Sequence, residues 1–106
     1  MIVSTMNDLP GYRVVEVYGE VFGLTVRSRN AFATIGGSLR SLFGGRIGAY
    51  STLLTHTREE AVGLLKDNAA AMGANAVLAM RFDTGEFANT MNEVAAYGTA
   101  VRVEKI

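Results

Sequence analysis

The chain has 106 residues and a mass of 11.3 kDa, which leaves room for one hydrophobic core and so for a single domain over residues 1–106. Apolar residues make up 49% and charged residues 19%, a balance that excludes intrinsic disorder. Ten basic residues offset ten acidic ones, which argues against a nucleic-acid partner. The absence of Cys removes disulfides, thiolate metal sites and thiol nucleophiles.

Near-zero charge on a short apolar chain favours a subunit that buries surface against copies of itself. Met1–Pro10 carries neither a basic segment nor an apolar leader core, and no stretch approaches the length of a membrane span. The expected address is the cytoplasm, with no membrane partner.

Ile2–Met6 is a short β-branched run, and Asn7-Asp8-Leu9-Pro10-Gly11 supplies turn chemistry after it. Tyr12–Val26 is β-rich. Alternation places Val15 and Val17 on one side and Tyr12, Val14, Glu16 and Tyr18 on the other. Gly19 is a bulge or bend in one long strand, or a hinge between two. Glu16 and Glu20 are expected to face solvent or to pair with Arg.

Asn30 can cap a short helix whose apolar positions are Ala31, Phe32, Ile35, Leu39 and Leu42. Phe43–Tyr50 reads as a Gly-rich loop, and a long helix starts near Ser51. Leu54, Ala61, Leu65, Asn68 and Met72 trace its stripe, and Gly73 stands where a left-handed C-cap is wanted. Asn75–Phe82 is a strand, with Leu78, Met80 and Phe82 alternating against Val77, Ala79 and Arg81. Thr84–Asn92 reads as a polar connection, and Glu93–Glu104 as the closing strand. One face of that strand, Val94, Ala96, Gly98 and Ala100, is small enough for a helix or another subunit to approach closely.

The predicted fold class is α+β. An antiparallel or mixed sheet carries one long and one short helix on one face.

Phe43-Gly44-Gly45-Arg46, Tyr50, Arg58-Glu59, Gly73-Ala74-Asn75-Ala76-Val77 and Tyr97-Gly98-Thr99-Ala100-Val101 together resemble the YbjQ-like family, over essentially the whole chain. The resemblance implies an α+β subunit assembled into a homopentameric ring, in bacterial and archaeal proteins of unestablished function. It also brings the label "putative heavy-metal-binding domain".

Soft metals want thiolate, thioether or imidazole donors. His56 is the only imidazole, and Met1, Met6, Met72, Met80 and Met91 are scattered. His56 and Glu60, four apart on the helix, are the weak metal candidates; the plainer reading of His56 is an exposed or interfacial helix residue. No metal site and no cofactor are expected.

Gly44, Gly45, Arg46, Tyr50 and Ser51 are the ligand-binding candidates, because bare backbone N–H groups and a helix start attract anions. The segment is neither a Walker loop nor a dinucleotide fingerprint, and its glycines equally suit a tight turn between packed helices. Ser51, Thr52 and Thr55 near His56 read as caps rather than nucleophiles. Glu59 and Glu60 diverge around the helix and do not form an acid–base pair. No catalytic residue is assigned, and the chain is not expected to be an enzyme. Arg58, Gly98 and Ala100 are the interface candidates, Arg58 through a carboxylate pair across subunits. The sequence therefore describes a homo-oligomeric binding or structural module, with metal binding or small-anion binding at the Gly-rich loop as alternatives.

Overall fold

The computed structural model describes residues 1–28, 45–87 and 91–106, with the backbone alone for residues 28, 45–50 and 87. The elements are β1 (Ile2–Val3), β2 (Tyr12–Ser28), α1 (Gly45–Ala71), β3 (Ala76–Phe87) and β4 (Met91–Lys105). The four strands form one sheet in the order β1-β3-β4-β2. β1 runs parallel to β3, and the other pairs are antiparallel. The expected α+β class with a mixed sheet is therefore the observed one. The short helix expected from Asn30 lies outside the described residues.

The chain reverses at Asn7–Gly11, where the Tyr12 amide donates to the Leu9 carbonyl at 3.0 Å. It then runs through β2 as one strand of 17 residues. Gly19 is a bend and not a hinge between two strands: its φ of 109° belongs to a register shift between Val17 and Gly19. A second shift lies between Val14 and Glu16. Two shifts correct the simple alternation expected at the start of β2. Val14 and Val17 both pair with β4 residues of one face, Val103 and Val101, while Glu16 pairs with Arg102 on the other.

α1 crosses the sheet with Ala61, Leu65 and Ala69 fully buried. It starts at Gly45, six residues before the expected Ser51, so the stretch read as a Gly-rich loop is helical from Gly45 onward. Glycine costs a helix about 1 kcal/mol relative to Ala, and packing of the Ala61–Leu65–Ala69 stripe outweighs that local preference. The far end follows the expectation. Gly73 (φ 95°) donates to the Ala70 carbonyl and Ala74 to that of Ala69, at 3.0 and 3.1 Å, a Schellman cap.

The helix lies directly over Gly23. A Cβ there would stand 2.1 Å from the Ala61 carbonyl oxygen and 2.4 Å from the Leu65 nitrogen. The core under the helix joins Val21, Ala61, Leu65, Ala69, Val77, Val94, Ala96 and Ala100. A smaller cluster on the opposite face joins Ala76, Leu78, Val101 and Val103, covered in part by Leu9 and Tyr12.

β3 breaks its own alternation. Ala79 has φ 54°, and the register with β4 shifts between Leu78 and Arg81. The left-handed conformation costs an Ala roughly 1 kcal/mol. The segment after β1 holds the bulge in place. Ala79 donates to the Met6 carbonyl at 2.8 Å, Met80 to that of Ser4 at 2.9 Å, and Arg81 Nη1 to that of Thr5 at 2.7 Å. Beyond it the β3–β4 ladder continues from Thr84↔Val94 to Phe87↔Met91, so strand pairing occupies most of the connection expected over Thr84–Asn92.

Candidate functional site

Among the described residues, the sheet has one face under α1 and one with little cover. Cross-strand pairing puts Val14, Val17, Phe22, Leu24 and Val26 of β2 on the second face, beside Tyr97 of β4. Phe22 and Leu24 are each 51% exposed, Val17 64% and Tyr97 37%. The Phe22 and Tyr97 rings meet at 6.3 Å between centroids, inclined by 33°. This is an apolar band along an edge strand, where neighbouring chains find unpaired backbone as well as unpaired side chains.

A cleft of about 420 Å³ runs between α1 and β3. Thr55, Arg58, Val62 and Lys66 line it from the helix and Phe82 from the strand. The Ala79 bulge turns Phe82 to the helix side, where it pairs with Ala96. There the Arg58 guanidinium carbon sits 5.3 Å from the Phe82 ring centroid, a cation–π contact. Sequence reasoning found Arg58 but not its ring. A strand that keeps its alternation would have turned Phe82 away, and Ala gives no warning of a left-handed backbone.

A second recess of about 310 Å³ adjoins it, lined by Ser51, Thr52, Thr55, His56 and Glu59. Ser51 and His56 thus share one shallow surface. Of the other ligand candidates, Gly44 lies outside the described residues. Gly45, Arg46 and Tyr50 belong to the first helical turns, where only the backbone is described. Glu60 is turned from His56 toward β2, where its carboxylate forms an ion pair with Arg27.

Gly98 and Ala100 are buried on the helix side of the sheet. A Cβ at Gly98 would come 2.6 Å from Val77 Cγ1 and 2.8 Å from the Leu78 carbonyl. Close packing inside the subunit thus accounts for the small residue at Gly98, and Ala100 joins the core under α1.

Below the helix end, Arg13 meets Glu104 at 3.2 Å and Arg102 meets Glu16 at 3.9 Å, all exposed. The Tyr18 hydroxyl donates to Glu16 Oε2 at 3.1 Å. Its pKa is raised, first by partial dehydration and then by the Glu16 carboxylate, with Arg102 opposing.

A family model described as "Putative heavy-metal-binding" matches residues 1–104. The chain belongs to the YbjQ family. Its YbjQ relatives include a UPF0145 protein of Lactococcus lactis subsp. cremoris, 54% identical over 106 residues, covering all of this chain and 97% of that one. A UPF0145 protein of Streptomyces coelicolor is 54% identical over 105 residues and covers 99% of both. Among solved structures, a DUF74-family protein of unknown function from Pediococcus pentosaceus superposes with a TM-score of 0.53. It does so over 98% of each chain at 18% identity, a likeness of fold.

The metal in the YbjQ description can be tested against the donors present. Among the described residues no three of His, Cys, Asp and Glu come together as a metal site would need. Glu60, one helical turn from His56, is already held by Arg27. These donors do not fit a soft heavy metal. Among the described residues, no helix of this YbjQ chain is long and apolar enough to cross a membrane.

Proposed function

We propose that this chain is a cytoplasmic homo-oligomeric binding or structural subunit and not a catalyst, assembling with copies of itself into a ring, a pentamer by family resemblance. The observation that carries the reading is the exposed apolar band of Val14, Val17, Phe22, Leu24 and Val26 on edge strand β2, which no described residue covers. At about 25 cal/mol per Å² of apolar surface removed from water, covering such a band favours association. A zero net charge supplies no overall repulsion between copies and gives the reading no nucleic-acid partner.

Native mass spectrometry of protein purified without added metal tests it, because one spectrum reports subunit number and any retained ion. A single oligomer of five subunits without a stoichiometric metal is expected. Leu24→Lys places an ammonium in the band and should release monomers that keep the far-UV circular dichroism of the parent. A monomeric parent at micromolar concentration overturns the reading, and a transition metal retained at one per subunit replaces it with the metal-binding one.

A further inference from the structure

We propose that the cleft between α1 and β3 is a receptor for a small organic anion with a flat apolar body, a carboxylate or a phosphate monoester. The site lies on the helix side of the sheet and stands independently of self-assembly through the opposite face.

The argument starts from Arg58. Its guanidinium lies over the Phe82 ring at 5.3 Å, and among the described residues it makes no hydrogen bond or ion pair. The ring contact leaves the guanidinium N–H groups without a hydrogen-bond partner among the described residues, and two of them side by side match the two oxygens of a carboxylate or phosphate. An arginine already held by a ring loses less conformational freedom when an anion arrives.

Lys66 lines the same cleft eight residues further on, about 12 Å along the helix axis. It too has no ionic partner among the described residues. Among the described residues the cleft is lined by two cations against one carboxylate, that of Glu59. The anionic end belongs at Arg58, where the ring fixes the guanidinium, and Lys66 adds longer-range attraction.

The space between them selects a body as well as a charge. Val62 is half-buried, and the position of a Cβ on Gly63 has nothing within 4 Å, so the helix surface is recessed there. Phe82, 37% exposed, offers apolar area along one wall. The cleft's volume of about 420 Å³ lies within the range of small-molecule sites, about 300–1,000 Å³. Its open side implies rapid exchange and modest affinity.

Titration of the intact protein with benzoate and with phenyl phosphate, followed by amide NMR shifts, tests the proposal and separates its two sources of anion. Benzamide and inorganic phosphate are the controls. The expected result is saturable shifts of the amides from Thr55 to Lys66 and of Phe82 with benzoate, phenyl phosphate or both, and weaker binding of each control. Arg58→Gln should weaken binding by about tenfold or more, the size of one charge-assisted hydrogen bond. Lys66→Gln, whose exposed substitution leaves packing intact, should weaken it by about threefold. The proposal falls if neither probe gives saturable shifts in this segment, if a control binds as tightly as the probes, or if binding survives both substitutions unchanged.

Discussion

The Asn75 carboxamide holds both backbone groups of Val103. Its Nδ2 donates to the Val103 carbonyl at 2.9 Å, and its Oδ1 accepts from the Val103 amide at 2.8 Å. The Asn75 main chain donates to the Val101 carbonyl at 3.0 Å, and its own carbonyl receives the Ile2 amide at 3.3 Å. One residue thus continues the β3–β4 ladder past its last backbone pair and receives β1. An amide is the side chain that offers a donor and an acceptor at the spacing of a peptide group.

Asn75→Ala leaves the Val103 N–H and C=O without partners in a partly buried setting. The expected cost is about 2 kcal/mol, the sum of two such bonds. It is read as a lower urea midpoint with an unchanged slope. Asn75→Asp keeps the acceptor and loses the donor, and should fall between the two.

Gly23→Ala should be the more damaging change, although it adds one methyl group. The added carbon would overlap the Ala61 carbonyl and the Leu65 nitrogen, which belong to helix backbone and cannot rotate away. α1 must lift from the sheet over Val21 and Thr25. A loss of about 3 kcal/mol is expected in denaturant unfolding. A variant as stable as the parent would show that α1 does not sit on this strand.

Thr25 should gain from losing its hydroxyl. It is 4% exposed, and its Oγ1 has no hydrogen-bond partner among the described residues. Thr57, buried on α1, satisfies its own hydroxyl by donating to the Leu53 carbonyl at 2.8 Å. Thr25→Val keeps the shape and removes an unpaired polar group. Stability should rise by about 1 kcal/mol in thermal unfolding, whereas Thr57→Val should give no gain.

Tyr18 sets a test at alkaline pH. Folding raises its pKa above the ordinary value near 10, so the folded chain keeps the phenolic proton where the unfolded chain has released it. The stability this group contributes is complete below that ordinary value and is lost as pH climbs through the raised one. The parent's Tm should therefore drop more steeply than that of Tyr18→Phe as pH rises above about 10. Parallel curves would show that the phenol is not perturbed.

Much of this architecture was legible in the residues. β-branched runs marked β2, β3 and β4, and Gly73 marked the helix end, because a residue with free φ is needed to close a Schellman cap. The start of α1 was not legible, since the glycines from Gly45 to Gly48 argue locally against helix and only packing elsewhere decides otherwise. The three register shifts were legible only at Gly19. Those beside Val15 and Ala79 fall on residues that ordinarily continue a strand. The candidate cleft was hidden for the same reason, because Phe82 reaches Arg58 only after the Ala79 bulge reverses its side. Gly98 marks a place of close approach, but its close neighbours are Val77 and Leu78 of β3 in the same subunit, where the sequence suggested a helix or another subunit.

The two kinks in β2 have a bearing on how crowded copies behave. A straight border of 17 residues with greasy side chains would template runaway fibre growth. Here the hem is crooked within its first half, at Val14–Glu16 and Val17–Gly19. A foreign extended segment laid along it gains a few bonds and then falls out of step, so only a surface shaped to the same bends can follow it to the end.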